Sequence, residues 1–490
     1  MIDLRPVFLV TGALVAALGV AMAPALIADL LSQDPADQKN WAAFATASFI
    51  CLIGGGGVAA ASWGRIQSIT LRQGFLLTAM SWIALVMFAA LPFWLGALNM
   101  SYTDAFFEAM SGLTTTGSTV INGLDDAPPG LLLWRSMLQW FGGVGIIIMA
   151  FAVLPALRVG GMQIFKSEAW DTTEKFVANA AQYSSYLSLI YIALTSICFV
   201  FLWAFGMSAF DAANHAMTTV ATGGFSTKDA SLGYFLSTLD APIDIVVSVF
   251  MIIGSLPFGL FLIAVLRGNF SRLLGDSQVR FFLVLLGVLV FFMTVFVFDR
   301  FNTNLFTAFR LALFNVTSVI TGTGYATTAY DNWGGLAIGF FFCLMFVGGC
   351  AGSTSCGMKL FRFQVVLAAA RLYARRLAHP HGVFVAKYNA RPIGRDVFIS
   401  VLSFFFVYFA SFATLAVLLA ACDLDPLTAI SAAGTAIANV GPGLGPVVGP
   451  LGNFSSLPDT AKWLMSIGML FGRLEFFTIL VVLSPDFWRR

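Results

Sequence analysis

Four short segments, each closing in a Thr- and Gly-rich turn, interrupt an otherwise apolar chain. They read YTDAFFEAMSGLTTTGSTV (102–120), AFDAANHAMTTVATGGFST (209–227), LFTAFRLALFNVTSVITGTGYAT (305–327) and DPLTAISAAGTAIANVGPGLG (425–445). Each opens as an amphipathic helix of about 12 residues, which is about 18 Å long and roughly half of a bilayer core. Such a helix cannot cross a membrane. Irregular backbone at membrane depth persists only where it is buried in protein or lines water. The four segments therefore read as re-entrant helix-loop units. Gly117, Gly224, Gly324 and Gly441 occupy matching places in them. The result is an internal fourfold repeat in parallel orientation.

Full-length apolar runs flank these units, at about 6–31, 41–63, 74–97, 131–157, 184–207, 242–267, 279–298, 335–372, 395–421 and 461–484. The expected fold is an all-α integral membrane protein with ten transmembrane helices and four re-entrant pore helix-loops. It forms a pseudo-fourfold, single-chain pore with two extra N-terminal helices. The domains expected are a two-helix extension (1–68) and four pore repeats (69–175, 176–274, 275–392 and 393–490). Charged residues make up 10% of the chain, against about 25% in soluble domains. The first apolar run is long enough to span and reads as a retained helix, not a cleaved leader. The six cysteines lie in or beside apolar runs and read as packing residues. No basic run argues for nucleic acid.

Lys and Arg orient the chain. With a cytoplasmic N-terminus, most fall on one face, from Arg5 through the 371–395 stretch to Arg490. Only Lys39, Lys228, Arg300, Arg310 and Lys462 fall on the other. Both termini are then cytoplasmic, and the four units open outward. That outer face carries Asp104, Glu108, Asp125, Asp126, Asp211, Asp229, Asp240, Asp331, Asp423, Asp425 and Asp459, an acidic mouth that concentrates cations.

A partly dehydrated monovalent cation needs oxygens around it, and inward-turned backbone carbonyls supply them. That conformation calls for φ values glycine takes cheaply. The candidate filter is Thr115, Thr116 and Gly117; Thr222, Gly223 and Gly224; Gly322, Thr323 and Gly324; and Asn439, Val440 and Gly441.

These loops, with GGVGIIIMAFAVLP (142–155), GGMQIFKSE (160–168), GGCAGSTSCGMK (348–359) and GRLEFFTILVVL (472–483), resemble the Trk/Ktr/HKT superfamily of potassium transporters over essentially the whole chain. The two extra N-terminal helices and the GMQIFKSE text resemble its TrkH branch. The resemblance implies four repeats of helix, pore helix with loop, and helix. It implies potassium as the transported ion where all four loops carry the filter glycine. It also implies a homodimer in the bacterial cytoplasmic (inner) membrane, controlled by a TrkA-like cytosolic nucleotide-binding ring. That ring would contact the chain near 160–168 and the basic 374–394 stretch. The chain itself has no GxxxxGK[ST] text, so no nucleotide is expected on it. The fourth loop, Asn439-Val440-Gly441-Pro442, departs from the Thr-Gly pattern and makes the filter only pseudo-symmetric.

The eighth apolar run is broken by VGGCAGSTSCG (347–357), where each glycine weakens a helix. It reads as an intramembrane loop below the filter, and the resemblance makes it a gate. The gate candidates are Gly348, Gly349, Gly352, Ser353, Thr354, Ser355, Lys359, Arg473 and Glu475. Charges within spans are costly and functional by default. Arg473 is expected to face the pore axis and hold the loop. Glu475 is expected to pair with Lys359, and Arg135 to snorkel to the interface. His215 reads as a packing or hydrogen-bonding residue. The alternative function is a symporter coupling potassium to protons or sodium. That reading needs a titratable group in the pore, for which Lys359, Arg473 and Glu475 are the candidates. Nothing resembles a catalytic arrangement, so no enzyme activity is expected.

Overall fold

The computed structural model describes residues 2–32, 34, 37, 40–64, 70–152, 180–239, 241–389 and 391–489. The 160–168 segment lies outside them. So do Lys39, Arg65, Arg158, Lys175, Asp240 and Arg490.

Seven of the ten expected spans are continuous helices long and apolar enough to cross a membrane. They are Arg5–Leu30, Trp41–Ala61, Leu71–Leu95, Pro129–Met149, Gln182–Ala204, Ser277–Phe301 and Arg395–Ala420. Local signals bound them. Thr70 and Gln73 form a capping box at the head of the third span. Asp276 caps the Ser277–Phe301 helix, and Asn302 ends it with φ at 47°, the left-handed stop that asparagine tolerates.

The other three expected spans are not single straight helices. The sixth is Ile243–Gly254 and Phe258–Leu266, bent by 89°. Pro257 lies at the break, where it lacks an N–H and restricts the residue before it. The last is Asp459–Arg473 and Phe477–Leu483, bent by 110°. Glu475 and Phe476 carry positive φ there. The eighth is interrupted outright between Gly335–Met345 and Leu360–Ala378.

The four half-length helices form as Tyr102–Leu113, Ala209–Val220, Leu305–Ile320 and Pro426–Ala438. Their C-terminal parts lie inside the molecule. In the fourth, ten of the eleven positions from Thr428 to Ala438, all but Ile430, are buried. The spans instead turn bulky apolar groups outward, such as Phe291 at 71% exposure and Phe406 at 77%. Only an apolar solvent accommodates that arrangement, and this is a multi-pass membrane protein. The N-terminal helix pair is fastened by the buried Asp29. Its carboxylate accepts from Asn40 (2.7 Å) and from the Gly130 N–H at the head of the fourth span (2.6 Å).

Candidate functional site

Each pore helix starts and stops in the same way. Ser101, Ser208, Asn304 and Asp425 are the N-caps, and each side chain accepts the N–H three residues on. At the other end, the N–H just before the candidate filter glycine reaches back five residues. Thr116 bonds to the Ser111 carbonyl (2.8 Å), Gly223 to Thr218 (2.8 Å), Thr323 to Ser318 (2.9 Å) and Val440 to Thr435 (3.2 Å). This is a Schellman stop, and it requires a left-handed residue just before that N–H. Thr115, Thr222, Gly322 and Asn439 fill that place, with φ of 53°, 50°, 70° and 52°. For threonine this is a strained conformation.

Two residues later the chain is left-handed again, at Gly117 (92°), Gly224 (79°), Gly324 (84°) and Gly441 (112°). Left-handed and other backbone thus alternate through each loop.

The four loops close into a ring in chain order. A β-carbon on Gly117 would strike the Gly223 carbonyl oxygen. One on Gly224 would strike that of Thr323, and one on Gly324 that of Val440. One on Gly441 would lie 2.8 Å from that of Thr116, which returns to the start. One carbonyl from each quarter therefore sits beside the neighbouring quarter's glycine. All four glycines line one cavity of about 60 Å³. The ring is not symmetric. Gln139 donates to the Gly223 carbonyl (2.6 Å) and Ser118 to that of Gly441 (2.6 Å). Asn439 bridges to the Thr116 hydroxyl (2.9 Å) and the Met469 carbonyl (2.9 Å).

The 346–359 loop lies against the lower side of this ring. Its two ends are tied, with the Gly348 N–H on the Met358 carbonyl (2.9 Å) and the Leu360 N–H on Gly349 (3.2 Å). The break in the sixth span leaves backbone groups without helical partners, and this loop satisfies them. The Cys350 N–H bonds to Ser255, the Thr354 N–H to Gly254, and Gly352 accepts from Phe258. Thr354 Oγ1 donates to the Val220 carbonyl (3.0 Å) and Ser355 Oγ to Thr321 (2.6 Å). Cys356 Sγ lies 3.3 Å from Thr115 Oγ1. Ser353 closes the turn onto the Cys350 carbonyl (2.6 Å), with Gly352 at φ 74°. The loop thus touches the first three quarters from one side.

The fourth quarter contributes Arg473, which is buried. Its Nη1 donates to the Thr354 carbonyl (3.3 Å) and to Cys356 Sγ (2.8 Å), and its Nη2 to the Gly142 carbonyl (2.8 Å). A second cavity, of about 30 Å³, is bounded by the loop, Lys359, Arg473 and Glu475. The pairing expected between Glu475 and Lys359 is not made. Glu475 pairs with Arg362, whose guanidinium also covers the Phe404 ring at 3.6 Å, and the Lys359 ammonium caps the Ser355 carbonyl. The reason is local. The last span bends at Glu475, which swings its carboxylate to the helix that follows the loop. Removing one partner of a buried pair costs about 3–5 kcal/mol. Glu475→Ala is therefore expected to lower the stability of the purified protein by about 3 kcal/mol, read by thermal unfolding in detergent. An unshifted transition would mean the pair does not brace the bend.

Arg135 does not snorkel. It is 1% exposed, and its Nε pairs with Glu108 Oε1 at 2.7 Å. Glu108 is accordingly no part of an open acidic mouth. His215 is buried between the Asp211 carbonyl (2.8 Å) and Ser226 Oγ (2.9 Å), as a hydrogen-bonding residue should be. All six cysteines are free thiols. The sequence reading missed Gln139, Cys356, Arg362 and the four caps. The caps were findable, because Ser-x-x-Asp opens the first two pore helices.

The TrkH family model, described as a cation transport protein, matches residues 41–490. The chain is 46% identical over 429 residues to the Trk system potassium uptake protein TrkI of Halomonas elongata, covering 88% of this chain and 86% of that one. It is 38% identical over 431 residues to the Trk system potassium uptake protein TrkH of Escherichia coli, covering 87% of each. The crystal structure of the potassium transporter TrkH from Vibrio parahaemolyticus superposes with a TM-score of 0.90 at 36% identity, over 100% of both chains. Loops, ring and interrupted helix thus sit in a chain matched by that model through its last residue, and this protein belongs to the TrkH family of cation transport proteins, which are transporters and not enzymes.

Proposed function

We propose that this chain takes up potassium across the bacterial cytoplasmic membrane through a gated, channel-like pore. The observation that carries the reading is the closed ring, in which each filter glycine abuts the carbonyl of the next quarter. Backbone carbonyls around one axis replace a cation's hydration shell, and the helix C-termini leading into them add partial negative charge. The filter is the set Thr115 to Gly117, Thr222 to Gly224, Gly322 to Gly324 and Asn439 to Gly441. The relatives named as potassium uptake proteins support potassium as the ion. Backbone oxygens do not titrate, so the ring itself supplies no group that would couple potassium to protons.

In this reading the 346–359 loop is the gate, closed against the ring. Arg473 latches it through Thr354 and Cys356 and, with Lys359, places positive charge below the filter. A TrkA-like nucleotide-binding ring, acting on a homodimer from the cytoplasmic side, releases the latch. Both termini lie in the cytoplasm, and the chain divides into the two-helix extension and four repeats.

The test is rubidium-86 uptake into proteoliposomes of the purified chain, with potassium or sodium as competitor, run beside Gly117→Ser. Potassium is expected to block uptake and sodium is not. The serine variant is expected to lose about tenfold in that discrimination, since a side chain at φ 92° displaces the Gly223 carbonyl. Equal competition by the two ions in the unmodified chain would overturn the potassium reading.

A further inference from the structure

The backs of the four loops share a tether. Nine residues before the filter glycine, the first three pore helices carry Glu108, His215 and Asn315, all buried. Each grips its own loop two or three residues beyond that glycine. Glu108 accepts from the Val120 N–H (2.9 Å) and the Thr119 hydroxyl (3.0 Å), His215 meets the Ser226 hydroxyl (2.9 Å), and Asn315 meets that of Thr327 (2.9 Å). The fourth helix has Ala432 there, and the adjacent Ser431 accepts from the Leu444 N–H (3.0 Å) instead. Three of the tethers are neutral or can be, and they stay within their own quarter.

The first tether differs. Its carboxylate is joined by Arg135, from the helix that follows the first loop. Arg135 Nε holds Glu108 (2.7 Å) and Nη2 reaches the Thr119 hydroxyl (3.2 Å). Its Nη1 donates across to the Ser226 carbonyl of the second loop (2.9 Å), and the guanidinium lies 4.1 Å from the centre of the Phe225 ring. One planar, always-charged group therefore spans two quarters of the ring. Ser226 lies two residues beyond Gly224, so the contact acts at the filter's outer edge. A buried ion pair is a poor source of stability, because desolvation offsets its attraction, while apolar replacements are often tolerated. Fixed spacing between two loops is something apolar packing supplies less well.

We infer that Arg135 and Glu108 are positioning residues for ion discrimination, setting the distance between the first and second filter loops. The inference rests on the carbonyl-ring reading of the filter. Arg135 borders the cavity that the four glycines line, and its Nε, Nη1 and Nη2 each donate to a protein oxygen. The effect of the two residues is to stop the Gly117 and Gly224 layers from relaxing around a smaller, more strongly hydrated cation.

The test is the same rubidium-86 competition assay in proteoliposomes, with potassium and sodium titrated separately. The variants are Glu108→Gln/Arg135→Gln, which removes both charges together, and Arg135→Lys. The glutamine pair is expected to retain rubidium uptake while sodium competes about tenfold more effectively relative to potassium. Arg135→Lys keeps the charge beside Glu108 but lacks the fork that reaches Ser226, and is expected to fall between the pair and the unmodified chain. A purely structural role would lower the amount of folded protein and leave the ratio of the two ions unmoved. Should the glutamine pair fail to fold, Arg135→Lys alone decides. Unmodified discrimination in whichever variant folds overturns the inference. Gly117→Ser is run alongside. If it alters discrimination and the tether variants do not, the tether inference fails and the filter stands. If Gly117→Ser is also silent, the filter reading itself has failed.

Discussion

Gly224→Ala is expected to reduce potassium-sensitive rubidium uptake at least about thirtyfold, with the protein still inserted and monodisperse. Two effects add. An alanine at φ 79° carries the left-handed penalty of about 1–2 kcal/mol. Its methyl group would also overlap the Thr323 carbonyl oxygen. That oxygen is backbone, in the peptide whose Gly324 N–H bonds to the Ser318 carbonyl (3.3 Å), so it cannot swing aside as a flexible side chain would. The third loop must move, and the ring opens at the second and third quarters. Each 1.4 kcal/mol lost in ion binding is tenfold. Gly145→Ala is the control. That glycine is helical, with nothing within 4 Å of an added β-carbon, and its variant is expected to keep unmodified uptake. If Gly224→Ala transports normally, the ring is not the conduction path.

Arg473→Ala is expected to act in the opposite direction and raise uptake in the absence of any cytosolic partner by about tenfold or more. The side chain donates to the Thr354 carbonyl, Cys356 Sγ and the Gly142 carbonyl. Hydrogen bonds from a charged group are worth about 1.5–3 kcal/mol each. Losing even one net bond that exists only while the loop is closed shifts the closed-to-open ratio by an order of magnitude. Removing the charge also lowers the electrostatic barrier to a cation in a site of low dielectric. Uptake that stays at the unmodified level with protein in hand would show that Arg473 braces the fold and does not latch a gate.

The repeat was legible because its causes are local. A 12-residue amphipathic segment followed by Thr-Gly says that a helix stops and the backbone turns left-handed, and both events follow from nearby residues. Thr115, Thr222, Gly322 and Asn439 were placed in the filter from that text, and they are the residues that end the pore helices. The interrupted eighth span was equally readable, since VGGCAGSTSCG cannot remain helical in an apolar run. The bends in the sixth and last spans were not read. Pro257 was a local sign for the first. The second has no proline to mark it, and the partner that Glu475 meets at the bend, Arg362, lies 113 positions earlier in the chain.

Charge partners failed for the same reason. Lys359 and Glu475 looked like a pair because, with Arg473, they were the charges read as lying within spans. Arg362 was counted as a cytoplasmic cation, although it is fully buried. Arg135 looked like an interfacial residue because hydropathy alone does not report that a carboxylate waits on the neighbouring pore helix.

By itself, then, the sequence determined where helices run, where they must stop and which glycines turn the chain, because backbone conformation depends on residues within a few positions. The tertiary structure alone decided that each glycine abuts the next quarter's carbonyl, that the loop fills the broken sixth span, and that Arg135 bridges two filter loops. Those contacts join residues tens to hundreds of positions apart, and their geometry exists only once the four repeats have closed around a common axis.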